Sequence, residues 1–238
     1  MPRSRLPLAA ILLVFAVVCI RLGVWQLDRL SARRSANALA TARRALPEVR
    51  FPVAVPADSL DGRRVKATGQ YDRAGELLLR GQALGGVPGV ALVTPLRLDG
   101  PADTAVLVER GFVPSPDALT LPADTAFDEP GRREVHGTAY AIGDSGEGQP
   151  LERAGHLTLR RLDIAAVRAW LPYPVFEIVI RQAPDPSLPS FPRRWPAPPL
   201  DEGPHLMYAI QWFSFALTAL VFGAVYLRRG GQENEKSR

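Results

Sequence analysis

Pro204-His205-Leu206-Met207-Tyr208-Ala209-Ile210-Gln211-Trp212-Phe213-Ser214-Phe215 opens the last apolar run of this 238-residue chain. From Leu206 to Leu227 there are 22 residues without a formal charge, enough for a helix to cross a hydrocarbon core of about 30 Å. His205 stands where such a helix enters the membrane. At about 100° per residue, Tyr208, Trp212 and Phe215 follow it on roughly one face. Two readings fit the pattern. Tyr and Trp gather at membrane interfaces whatever a protein does, and a histidine there can simply face headgroups. Alternatively, imidazole is a good ligand for iron, and a dry aromatic wall suits a flat apolar macrocycle. Pattern alone favours the interface anchor.

A second run opens the chain. Leu6 to Ile20 is apolar, Arg21 interrupts, and Leu22 to Leu27 completes a 22-residue segment ending near Trp25-Gln26. Arg3 and Arg5 give the basic start of a signal peptide, but no small-x-small cleavage site follows Ile20. Val18 before Cys19 is too bulky for a lipoprotein site. The segment is therefore expected to stay as a helix, with Arg21 reaching toward the outer interface on its long stem.

Charge indicates the topology. Outside residues 28–204 lie seven basic residues and two acids, whereas the middle holds 22 of each. Basic residues flanking membrane helices tend to stay cytoplasmic, while long loops translocate largely regardless of charge. A hairpin with both termini cytoplasmic and the middle outside follows. The expected parts are residues 1–27 (N-terminus and first membrane helix), 28–183 (β-rich domain with a helical extension), 184–204 (linker), 205–227 (second membrane helix) and 228–238 (cytoplasmic tail). The basic pI reports this arrangement and gives no support to a nucleic-acid partner. One cysteine excludes an internal disulfide and a C-x-x-C motif.

Asp28 to Leu46 reads as a polar helical extension that Pro47 stops. Strands are expected at Arg64–Tyr71, Glu76–Gln82, Gly89–Leu98, Ala105–Val113, Glu134–Tyr140 and Phe176–Gln182, separated by Gly, Pro and Asp signals. Gly85-Gly86-Val87-Pro88-Gly89 reads as a turn. Asp163 is a credible N-cap for a short helix ending near Leu171, before Pro172. Short connections favour an antiparallel sheet curled into a small barrel or a sandwich. Residues 184–204 hold eight prolines and should run semi-extended. The fold class is thus α+β: a two-helix transmembrane hairpin, an antiparallel barrel-like sheet and a short helix.

No catalytic constellation emerges. His136 and His156 have no nucleophile motif beside them, and no Walker loop, Rossmann glycine pattern or H-E-x-x-H is present. Asp58 and Asp61 flank a turn with little to suggest a metal. The chain is not expected to be an enzyme.

Several segments together resemble the surfeit locus protein 1 family of cytochrome c oxidase assembly factors. Leu22-Gly23-Val24-Trp25-Gln26-Leu27-Asp28-Arg29-Leu30 resembles its first-helix pattern, and Gly69-Gln70-Tyr71-Asp72 its Gly-x-Tyr motif. Thr94-Pro95-Leu96 resembles its Thr-Pro-Leu segment, with Gly89 and Val93 before it. Val106-Leu107-Val108-Glu109-Arg110-Gly111-Phe112-Val113-Pro114 resembles a further family pattern, departing from it in Glu109 (usually Asn) and Phe112 (usually Trp); if the tryptophan nitrogen makes a needed hydrogen bond, that contact is lost here. Pro204 through Ala216 resembles the second-helix signature.

The resemblance implies an assembly factor for haem-copper cytochrome c oxidase in the bacterial cell membrane, chaperone-like, presenting haem a to subunit I or stabilising it. Other assembly factors and membrane lipid are implied partners. It makes His205 the expected axial ligand of haem iron. Tyr208, Trp212, Trp25, Gln26 and Gln211 would line a lipid-level cleft, the Trp25-Gln26 and Gln211-Trp212 pairs at one depth. Arg29 would meet a propionate, since guanidinium pairs bidentately with carboxylates; a headgroup-binding arginine is the alternative. A surface ion pair is expected for Arg110. The competing function is a structural docking subunit of the oxidase that does not bind haem, its aromatic stripe packed on a partner helix.

Overall fold

A computed structural model describes residues 6–53, 55–100, 103–122, 127, 129–144 and 150–236. The chain forms two compact units, Met1–Thr41 with Pro199–Arg238, and Ala42–Pro198. Helix α1 (Leu6–Ala45) begins in the first unit, and α4 (His205–Lys236) completes it. Both are long and apolar enough to cross a membrane. Neither apolar run holds an internal helix breaker beyond Pro7 in the first turn, where the missing N–H costs nothing.

The second unit is a nine-stranded sheet: β1 (Val49–Phe51), β2 (Arg64–Tyr71), β3 (Leu77–Leu84), β4 (Val87–Leu98), β5 (Ala105–Pro114), β6 (Arg132–Ala141), β7 (Leu151–Arg153), β8 (His156–Leu159) and β9 (Val175–Gln182). Helix α2 (Ala57–Leu60) precedes β2, and α3 (Ile164–Trp170) precedes β9. The six expected strands are present, each within two residues of its expected ends. β2 runs β6, β9, β5, β4 around a ring, and the pairing of Tyr71 with Leu96 and Gly69 with Leu98 returns β4 to β2. The sheet is therefore barrel-like, with the Greek-key order in which a fourth strand lies beside the first. At the closing seam a Cβ on Gly69 would run into the Arg97 carbonyl.

Two expectations need correction. The sheet is mixed: β1–β2, β3–β8 and β5–β9 are parallel. β9 follows the crossover through α3, so it can enter beside β5 in the same direction while running antiparallel to β6. The turn at Gly85–Gly89 is shorter than expected, because only Gly85 and Gly86 turn, both at positive φ, and Val87 already belongs to β4.

Alternate residues of all five ring strands form one cluster: Val65 and Ala67, Leu96 and Leu98, Val106 and Val108, Val135 and Ala139, Ile178 and Ile180. This is the barrel interior. The opposite faces of β3, β5 and β9 pack Leu77, Leu107 and Val179 against Ile164 and Val167 of α3. Covering both faces explains why β5 is buried from Ala105 to Val113. Asp163 caps α3, its side chain accepting from the Ala166 N–H at 3.0 Å.

Candidate functional site

The two apolar helices meet along a seam of regular spacing. On α1 the buried residues are Ala16, Cys19, Gly23 and Leu30, and the one position of that 3–4 rhythm left between Gly23 and Leu30 is Gln26. On α4 the matching series is His205, Ala209, Trp212, Ala216, Ala219 and Gly223. Ala16, Cys19, Ala216 and Ala219 pack together with Leu12 and Trp212. Small residues let helix backbones approach closely where lipid offers no hydrophobic drive between helices. Gly23 shows how close: a Cβ there would lie 2.7 Å from the Phe213 ring.

The seam's polar end carries the site. His205 Nδ1 lies 2.8 Å from the side-chain oxygen of Gln26. An amide oxygen only accepts, so a neutral His205 bonded to it carries its proton on Nδ1 and keeps the lone pair on Nε2. Gly203, at positive φ, lies beside the ring; a Cβ there would stand 3.6 Å from Nε2, in ordinary van der Waals contact. The segment leading into α4 is tied to α1 by the same rhythm continued outward. Arg33 and Asn37 donate to the Asp201 carbonyl at 3.1 and 2.8 Å, and Arg34 makes a two-pronged pair with Glu202 at 2.8 Å each.

The other expected residues separate into two groups. Trp212 lies in the seam, its ring edge-on to Phe215 at 5.9 Å. Trp25, Tyr208 and Gln211 are exposed on the helix surfaces, as is Phe215, so the aromatic face expected to follow His205 inward is only in part a packed face. Small residues win the contact because a ring at every position would hold the helices apart. The register set by Leu12 against Gly223 and Gly23 against Phe213 puts Trp25 and Gln211 at nearly one level. Arg29 lies over the Trp25 ring, 5.4 Å from its centroid. Among the described residues no group of three or more His, Cys, Asp or Glu could hold a metal ion. A lone imidazole could hold only a metal that brings its other ligands with it.

The SURF1 family model matches residues 13–217. The chain belongs to the SURF1 family. No curated protein matches it. SURF1-family proteins are assembly factors associated with cytochrome c oxidase, not a known enzyme class.

The motif through β5 of this SURF1-family chain holds a feature that sequence reasoning misjudged. Arg110 is no surface residue; it is 1% exposed. Opposite it the register slips, Leu92 pairing with Gly111 and Val93 with Glu109, so Arg110 has no partner in β4. A bulge of this kind re-aims a side chain, here into the protein. Arg110 pairs with Glu76 at 3.3 Å and Glu129 at 3.0 Å, donates to the Phe127 carbonyl, and lies 4.8 Å from the Tyr71 ring centroid. Burial pushes the Tyr71 hydroxyl well above the usual tyrosine range. Arg194 shares the same Glu129 oxygen at 2.7 Å. Next along the motif, Glu109, where the family pattern has Asn, is matched by Arg181 at 3.0 Å. Phe112 meets Trp195 edge-on at 5.7 Å.

Proposed function

We propose that this protein lies in the bacterial cell membrane as a two-helix hairpin, termini in the cytoplasm and β-barrel unit outside, and helps assemble haem-copper cytochrome c oxidase by presenting haem a to subunit I. The observation that carries the proposal is the 2.8 Å contact between His205 Nδ1 and Gln26 at the polar end of the helix seam. Haem a is the cargo, and His205 would hold its iron through a ring nitrogen. Tyr208, Gln211 and Trp212, one to two turns further along α4, and Trp25 at the level of Gln211 offer apolar and polar edges, and Arg29 offers a guanidinium for a propionate. Subunit I, other assembly factors and lipid are the partners of this reading.

Two experiments test it. Deleting the gene should lower assembled oxidase and its haem a absorbance, and normal oxidase in the deletion strain rejects the assembly role. In full-length protein purified from cells that make haem a, His205→Ala should abolish the haem a absorbance. A second reading has support in the exposed rings of Phe15, Tyr208, Phe215 and Phe222. These could pack on oxidase helices in a docking subunit that never touches haem. Co-purification with oxidase, no pigment and tolerance of His205→Ala would select that reading.

A further inference from the structure

We propose that Gln26 is a positioning residue, which fixes the proton of His205 on Nδ1 and so makes Nε2 the single atom this histidine can offer to a metal. The inference rests on the haem-presentation reading for its purpose, but its geometry stands without any bound group. Gln26 is a half-buried polar position of the α1 seam, between the buried Gly23 and Leu30. A half-buried amide and a half-buried imidazole at an apolar interface each lose hydration, and one bond between them offsets both losses.

Free histidine prefers its proton on Nε2. In that tautomer Nδ1 would be the bare atom, crowded by its own backbone and turned toward Gln26. With its oxygen turned to the ring, as in this structure, Gln26 reverses the preference, because that oxygen only accepts; its NH2 turned there would favour the other tautomer. A ligand histidine held through its other nitrogen is also pre-oriented, so less freedom is lost when the metal arrives. Outer partners of this kind are typically worth 10–100-fold in metal affinity.

The test uses full-length protein in lipid nanodiscs, labelled with ¹⁵N-histidine and free of haem, at alkaline pH where imidazoles are neutral. The chain has three histidines, His136, His156 and His205, and loss of one signal set in His205→Asn assigns the third. Nitrogen shifts then report which ring atom carries the proton. The wild type should show a protonated Nδ1 and a bare Nε2. Gln26→Leu should move the proton to Nε2, and Gln26→Glu, whose carboxylate also only accepts, should return it to Nδ1. Haem a affinity should fall about 10–100-fold in Gln26→Leu and recover in Gln26→Glu. A bare Nδ1 in the wild type, or an unchanged tautomer in Gln26→Leu, overturns the proposal. Wild-type protein that never binds haem a rejects the presentation reading instead, and the nitrogen spectrum still decides the role of Gln26.

Discussion

Arg110 and Glu129 form an ion pair at 3.0 Å with side chains 1% and 2% exposed. Arg110 also holds Glu76, whose own oxygen accepts from Thr94 at 3.0 Å, and Arg194 secures Glu129 from the far side. The network thus balances two guanidiniums against two carboxylates, tying β4 and β5 to the segments around Glu76, Glu129 and Arg194. Removing one partner of a buried pair costs about 3–5 kcal/mol, because an uncompensated charge stays inside. Arg110→Met should lower the stability of the full chain by that amount in chemical denaturation. Arg110→Lys should recover little, since an ammonium cannot fork between two acceptors. A loss within about 0.5 kcal/mol, typical of a surface change, would contradict the burial.

Glu76 also couples the network to pH. His156 Nδ1 donates to the Ala154 carbonyl at 3.1 Å, and Nε2 faces Glu76 at 3.9 Å. Glu76 raises the His156 pKa, against the opposing effects of burial and of Arg73. The folded value therefore lies above the unfolded value of about 6.5. Stability from this group is complete below that pH and is lost as pH rises through the raised value. His136 shifts in the same direction, chiefly through Glu48, but nearly half its side chain is exposed, so solvent screens the effect. The denaturation midpoint should fall as pH rises above the unfolded value of about 6.5. His156→Gln should flatten that slope more than His136→Gln does, and a slope that His156→Gln leaves intact would refute the coupling.

The clamp at the entrance to α4 should matter less than its geometry suggests. Arg34 and Glu202 meet with both oxygens engaged, yet both side chains are about half exposed. Exposed pairs contribute little, because water screens them. A double-mutant cycle of Arg34→Ala and Glu202→Ala should return a small coupling that shrinks as salt rises. A strong coupling that salt leaves unchanged would contradict that exposure.

What could be read from the sequence divides by the distance over which the cause acts. The apolar runs of α1 and α4, the alternation of β2 and the Asp163 cap are local, and each gives its signal within a few residues. Short β1, β7 and β8 carry too few residues to alternate, and they form because β2 accepts β1, β3 accepts β8 and β8 in turn accepts β7. The parallel entry of β9 beside β5 is settled by closure of the ring. Arg110 reads as an ordinary strand residue, since a bulge is a property of two strands in register. The contact of His205 with Gln26 joins residues 179 apart. Its trace was present, however: Gly23, Gln26 and Leu30 share one rhythm with Ala209, Ala216 and Ala219 on α4. The bulkier signal of Tyr208 and Phe215 obscured that small-residue spacing.

Cys19 gives a direct probe of the seam. It is the one cysteine of the chain and is fully buried against Ala216 and Ala219. One turn along, Gly23 leaves no room beside Phe213, where an added Cβ would stand 2.7 Å from the ring. Overpacking a tight contact costs about 1–3 kcal/mol, which raises an open population about 5- to 150-fold. If N-ethylmaleimide reaches Cys19 only when the helices part, its rate rises by the same factor. Gly23→Leu should therefore speed alkylation in full-length, detergent-solubilised protein. Gly23→Ala should fall between it and the wild type. Equal rates in all three proteins would show that the helices do not meet through Gly23.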